Sequence, residues 1–181
     1  YDEVLLPSEP WENYSLVGIS IVGISQILPG LTLARLLKEK YSHLHITLGG
    51  PIFSVNSKQL LGHPEFFQEF CDSIVTFEGE EPLHRLLTTL KNGSTLKEVP
   101  NLLFYENGVV ETNEERVELR FEEMPPPTFD GLPMDLYLSP YPILPVLQSR
   151  GCYWGKCTFC THSFIYGHRY GKQRTEQMVD E

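Results

Sequence analysis

Three thiols crowd into nine residues near the C-terminal end of this 181-residue chain, in the string Ser149-Arg150-Gly151-Cys152-Tyr153-Trp154-Gly155-Lys156-Cys157-Thr158-Phe159-Cys160. Thiolates at this density bind soft metals, and their number bears on which one. A structural zinc ion wants four protein ligands, whereas a four-iron cluster held by three cysteines keeps one iron open for a substrate or cofactor. The odd count favours the open cluster. A zinc site remains the alternative, because His162, two residues beyond Cys160, offers a fourth ligand at short range. The other cysteine, Cys71, stands alone in a Phe-rich stretch and reads as a small buried apolar residue.

The elements that must position this loop follow from the hydrophobic pattern. Short β-branched runs alternate with helical patterns from Leu16 onward, as in parallel βαβ units. Strands are expected at Leu16 to Ile21, His45 to Leu48 and Ser73 to Phe77. Helices are expected at Gly30 to Tyr41, at Val55 to Phe70 with an interruption at Gly62 to Pro64, and across Leu83, Leu86, Leu87 and Leu90, closed by Asn92-Gly93. Leu102 to Glu106 and Val109 to Asn113 flank Asn107-Gly108, a dipeptide suited to a two-residue hairpin turn. Seven prolines between Met124 and Pro145 mark a linker. A strand is expected at Ile143 to Gln148, just before the cysteine loop, and a helix near Thr175.

The fold class expected is therefore α/β: a Rossmann-like open parallel sheet with an added β-hairpin over residues 1–123, a Pro-rich linker over 124–142, and the start of a second domain over 143–181. Loops after the three parallel strands (Gly18 to Pro29, Leu48 to Pro51, Glu78 to Pro82) lie where open sheets bind ligands. The acidic Glu78 to Glu81 run suits a helix N-terminus.

Composition narrows the function classes. A formal charge of −10, from 14 Lys+Arg against 24 Asp+Glu, argues against a nucleic-acid partner. The most apolar stretch, Leu16 to Leu37, is broken by Gly, Ser, Gln, Pro and Arg, so no membrane span is expected. The acidic start Tyr1-Asp2-Glu3 lacks the features of a secretion signal, and a cytoplasmic location is expected. The lack of an initiating Met suggests a piece of a longer protein. His43, His45, His63 and His84 are dispersed and read as surface or satisfied core residues; Tyr166 to Arg174, rich in His, Arg and Lys, reads as a solvated basic loop.

The cysteine loop resembles the cluster motif of the radical S-adenosylmethionine superfamily, including the aromatic Phe159 directly before the last cysteine. The resemblance implies that Cys152, Cys157 and Cys160 ligate a [4Fe-4S] cluster and that Phe159 lies near the adenine of S-adenosylmethionine. It further implies that the open iron chelates that cofactor, that electron transfer generates a 5′-deoxyadenosyl radical, and that a reductant such as flavodoxin or ferredoxin supplies the electron. One departure is four residues, not the commonest three, between the first two cysteines; Gly151 and Gly155 give the loop room for it.

Val17-Gly18-Ile19-Ser20, Leu48-Gly49-Gly50-Pro51 and Glu78-Gly79-Glu80-Glu81-Pro82 resemble the cobalamin-binding domain that precedes many radical S-adenosylmethionine domains, over roughly residues 16–91. That resemblance implies that Ser20 faces the nucleotide tail of cobalamin and that Gly49 and Gly50 let backbone approach it closely. The Asp-x-His-x-x-Gly element that supplies an axial histidine in some cobalamin proteins does not occur in the chain. The second domain is then expected to be the truncated start of a radical S-adenosylmethionine (β/α) barrel. The full enzyme is expected to be an oxidoreductase or a methyltransferase acting on an unidentified small molecule or peptide, and this portion to be inactive alone. The rival expectation is a non-catalytic α/β binding module with a zinc-stabilised tail.

Overall fold

The computed structural model describes residues 3, 5–113, 115–117, 120–121, 124–125 and 127–173. The chain divides into two compact units, Tyr1–Glu118 and Leu119–Glu181.

The first unit is a five-stranded sheet in sequential order. Strands β1 (Leu16–Ser20), β2 (His45–Gly49) and β3 (Ser73–Val75) run parallel, with Leu16 beside His45 and Thr47 beside Ser73. The hairpin β4 (Leu102–Glu106) and β5 (Val109–Thr112) adds to the β3 edge in antiparallel sense, so the sheet is mixed. Its turn takes the expected form: Asn107 at φ 53° and Gly108 at φ 88° are the two left-handed residues that match strand twist.

Side-chain alternation along the strands explains why both faces are covered. Ile46, Leu48, Ile74 and Leu103 point to one side, where they pack with Ala34 and Leu37 of α1 (Ile27–Lys40) and Phe67 of α4 (Pro64–Phe70). Val75, Leu102 and Phe104 point to the other, against Leu86 of α5 (Glu80–Asn92) and Val99. Gly93 ends α5 at φ 65°, and Ser94 N–H donates to the Thr89 carbonyl at 3.0 Å, closing the helix as its Asn-Gly sequence predicts.

Two helices start earlier than Pro and Gly suggest. α1 begins at Ile27, with Pro29 inside its first turn, where a missing N–H costs no helical bond. α2 (Pro51–Val55) begins directly after Gly50, and α3 (Ser57–Leu60) follows before α4. In both places the proline sits in the first turn and does not break the helix.

In the second unit the expected strand at Ile143 to Gln148 is not found. Ile143 and Leu147 are 72% and 53% exposed, and pairing begins only at β6 (Ser149–Gly151), antiparallel to β7 (Tyr170–Lys172). An apolar run becomes a strand only beside a neighbour that takes its backbone bonds and covers its face; among the described residues only Gln148, whose carbonyl accepts from Gln173 N–H at 3.1 Å, has such a backbone partner. Between the two strands lies one short helix, α6 (His162–Ile165). Among the described residues the start of a parallel barrel is thus not seen. The helix expected near Thr175 lies outside the described residues.

Among the described residues no helix is long and apolar enough to cross a membrane.

Candidate functional site

The cysteine loop is anchored at its first ligand candidate. Gly151 takes φ 87°, and a Cβ there would stand 2.0 Å from the Arg169 carbonyl oxygen, so only glycine lets β6 pass β7 this closely. Cys152 N–H then donates to that same carbonyl at 3.2 Å. Three residues on, Gly155 turns the chain at φ 61°, its N–H directed at Cys152 Sγ at 3.5 Å. Cys160 N–H donates to the Cys157 carbonyl at 3.3 Å, and α6 follows at once, seated by buried Ser163 and Ile165.

All four cysteines are free; Cys71 is buried, Cys152 half-buried, and Cys157 and Cys160 exposed. Burial pushes the Cys71 thiol well above its ordinary range, which suits the apolar packing role read from its surroundings. The three loop cysteines share one short segment, but among the described residues no three His, Cys, Asp or Glu side chains are gathered closely enough to hold an ion. Phe159 is 88% exposed, and Tyr153 and Trp154 are exposed as well. His162 has its Nε2 3.2 Å from the Gly151 carbonyl, an arrangement that commits this nitrogen to the backbone and not to a fourth zinc bond. Between Ser149 and Gln173 stand four cations, Arg150, Lys156, Arg169 and Lys172, and no carboxylate, in a chain whose net charge is −10. Such a local balance favours an electron-rich, anionic occupant.

The second candidate region lies where β1, β2 and β3 end. Ser20 is exposed at the last position of β1, as a ligand-facing hydroxyl requires. At Gly50 the fold itself gives a reason for glycine. A Cβ on Gly50, at φ 113°, would meet the Ile21 carbonyl oxygen at 2.2 Å, so the space is taken by the chain itself as β1 exits over β2. Gly49 would meet Val75 O at an ordinary 3.7 Å. Ile21 N–H donates to the Gly49 carbonyl at 2.8 Å, extending the strand pairing by one residue. Beyond it Val22, Ile24 and Leu28 present exposed apolar side chains, and the Gln26 carboxamide oxygen fixes the loop by accepting from the N–H groups of Val22 (2.8 Å) and Gly23 (3.0 Å).

Sequence reasoning missed the residues that hold the third loop. Phe77 has φ 61°, a strained value for a non-glycine. Its N–H donates to buried Ser54 Oγ at 2.7 Å, and the Arg116 guanidinium lies 4.0 Å from its ring centroid. Asn101, also left-handed at φ 52°, donates through Nδ2 to the Glu78 carbonyl at 3.3 Å, and its own carbonyl accepts from Thr76 N–H at 2.9 Å. The acidic loop is therefore held from three segments far apart in sequence. Only Asn101, a residue type tolerant of positive φ, carried a local signal.

At the opposite end of β2, His45 Nε2 is 2.8 Å from Ser73 Oγ, which donates in turn to Thr47 Oγ1 at 3.0 Å. Asp72 pairs with Lys38 and accepts from Ile46 N–H at 2.8 Å. His45 thus belongs to a buried polar chain and not to a ligand site.

No family model matches the chain. In sequence it is 31% identical over 170 residues to an uncharacterized methyltransferase of Pyrococcus horikoshii, covering 89% of this chain and 35% of that protein. It is 28% identical over 179 residues to the hopanoid C-3 methylase of Methylococcus capsulatus, covering 92% and 31%. The chain thus spans about a third of the length of these curated relatives. Among solved structures it is similar to the radical S-adenosylmethionine methyltransferase TsrM of Kitasatospora setae with cobalamin and a [4Fe-4S] cluster bound (TM-score 0.61, 19% identity, 95% of this chain and 35% of that one). It is also similar to the cobalamin-dependent radical enzyme OxsB with aqua-cobalamin and S-adenosylmethionine bound (TM-score 0.69, 24% identity, 93% and 23%).

In fold the chain is similar to these cobalamin-dependent radical S-adenosylmethionine enzymes, with a mixed α/β unit built on a five-stranded sheet. The resemblance to radical S-adenosylmethionine proteins with an N-terminal cobalamin-binding-like domain, carried in the sequence by the cysteine loop and the three strand-end loops, is borne out; the relatives by sequence are methyltransferases.

Proposed function

We propose that this chain is part of a cobalamin-dependent radical S-adenosylmethionine methyltransferase, with Cys152, Cys157 and Cys160 as the protein ligands of a [4Fe-4S] cluster. One observation carries the reading: three free thiols on a glycine-hinged, cation-rich loop, in a chain with 31% identity to a methyltransferase. The donor set fits the group, since three soft thiolates complete three irons and leave the fourth open. When bound, the cluster supplies one electron to S-adenosylmethionine at the open iron and so initiates radical chemistry.

The chain's own residues have simpler tasks. Gly151 and the β6–β7 pairing fix where Cys152 starts the loop. Cys157 and Cys160 follow Gly155 with their thiols free and exposed. Phe159 offers an aromatic face to adenine. In the α/β unit, Ser20 and the apolar Val22, Ile24 and Leu28 are the groups able to meet a cobalamin tail and ring edge, with Gly50 shaping the floor between them. A low-potential reductant such as flavodoxin or ferredoxin, and a small-molecule or peptide methyl acceptor, complete the proposal. Full turnover belongs to the longer protein.

The test is anaerobic reconstitution with iron and sulfide, since exposed thiolates oxidise in air. About four irons per chain and broad visible absorption, both lost in Cys157→Ala, support the cluster. Colourless protein holding one zinc overturns it in favour of a stabilised tail. Hydroxocobalamin titration of the same protein, with neither spectral change nor retention, would remove cobalamin and leave the cluster standing.

A further inference from the structure

We infer that the backbone amide of Gly155 is a built-in hydrogen-bond donor to the Cys152 sulfur, setting how readily the cluster accepts its electron; this rests on the cluster reading above. Both ends of the contact are fixed independently. Cys152 is pinned by its N–H to the Arg169 carbonyl (3.2 Å) and by Gly151, whose close passage to β7 admits no side chain. Gly155 is pinned by its left-handed φ of 61° and by buried Ser163 of α6, whose Oγ would stand 3.2 Å from a Cβ on residue 155. Between these anchors the Gly155 N–H reaches the sulfur at 3.5 Å, a normal separation for a sulfur acceptor. Cys152 is half-buried, whereas Cys157 and Cys160 are exposed.

The electronic consequence follows from charge. One-electron reduction by a low-potential donor adds one negative charge to the cluster, with no bond broken and no proton taken up, and part of that charge falls on the ligand sulfurs. A fixed N–H dipole at one sulfur stabilises the reduced state more than the oxidised one, so it raises the reduction potential. The extra residue between the first two cysteines has a role in this geometry: Gly155 is the third residue after Cys152, and Lys156 then separates it from Cys157. Gly155 is in this sense a positioning residue for the electronics of Cys152.

The experiment has a metal-free arm and a loaded arm. In the metal-free chain, amide exchange at Gly155 followed by NMR is expected to be slow, and about tenfold faster in Cys152→Ala, as expected for loss of one hydrogen bond. In the chain labelled with [15N]glycine, reconstituted with iron and sulfide and reduced with dithionite, pulsed EPR is expected to show a 15N coupling. Gly155→Asn, which tolerates positive φ and keeps the amide, replaces that coupling by 14N. Replacement of Gly155 by glycolic acid in a semisynthetic chain, an amide-to-ester change that removes the N–H without fixing φ, shifts the midpoint potential to more negative values; if that chain fails to load iron, the 15N coupling alone decides. A loaded cluster with no coupling from residue 155, or a loaded ester chain with unchanged potential, overturns the inference and leaves the cluster reading intact. Failure of the wild-type chain to take up iron and sulfide overturns both.

Discussion

The α/β unit and the cysteine-loop unit solve the problem of positioning side chains in opposite ways. In the first, layers of Ile, Leu, Val and Phe from β2, β3 and β4 are buried on both faces, and the candidate ligand-facing loops hang from the ends of that sheet. In the second, the described residues offer a two-stranded ladder, the short α6 and a 3-10 turn at Met134–Leu136, while Ile143, Leu144, Val146 and Leu147 remain exposed. There the loop is held by steric exclusion at Gly151 and Gly155 more than by burial. A packed sheet distributes its stability over many residues. A glycine-locked ladder concentrates it in a few.

That contrast gives its strongest test in the core. Phe67, fully buried beneath α1, is expected to cost about 3–5 kcal/mol on replacement by alanine, because its cavity cannot collapse against a rigid sheet. Urea unfolding should show a large fall in midpoint; a change below about 1 kcal/mol would mean that this face is not close-packed. Gly50→Ala comes next, on the order of 3 kcal/mol, since it combines a φ of 113° with a 2.2 Å approach to the Ile21 carbonyl. Gly49→Ala, which meets only ordinary contact, should leave the unfolding midpoint nearly unchanged. If Gly49→Ala weakens cobalamin retention at constant stability, close backbone approach to the tail belongs to Gly49 and not to the pair.

The cysteine unit should respond differently to the same chemistry. Gly151→Ala places a methyl group 2.0 Å from the Arg169 carbonyl and must part β6 from β7. Iron per chain after reconstitution is expected to fall several-fold, while the main unfolding transition of the α/β unit moves little. A Gly151→Ala chain that loads iron normally would show that the ladder does not position Cys152.

How much of this was legible in the sequence follows the same divide. Where local chemistry decides, the sequence sufficed: Asn107-Gly108 can hardly be anything but a tight hairpin, Asn92-Gly93 ends a helix, and alternation in β3 and β4 assigns each residue to a face. The three cysteines and their hinge glycines were visible for the same reason. Where a distant partner decides, it did not suffice. Nothing in Gly49-Gly50-Pro51 tells that Ile21 fills the space over Gly50, and nothing around Phe77 announces Ser54 and Arg116, which reach it, or Asn101, which holds its neighbours Thr76 and Glu78. The apolar run before the cysteines has strand composition, yet composition cannot supply the neighbour a strand needs.

The subtlest expected effect lies in the buried polar chain at the start of β2. Burial lowers the His45 pKa, Lys38 lowers it further, and Asp72 opposes both. Neutral His45 sits against Ser73, and the folded state therefore binds fewer protons than the unfolded chain once the pH drops below the ordinary imidazole value of about 6.5. Stability is full above that value and is lost as pH falls from it toward the lowered folded pKa. His45→Gln, which keeps a hydrogen-bonding side chain but cannot titrate, should flatten this part of the stability curve while leaving carboxylate-driven losses at lower pH. Urea midpoints taken across pH 7 to 5 on both proteins check it. Parallel curves would mean that Asp72, already paired with Lys38 and the Ile46 amide, holds enough negative field on His45 to offset its burial.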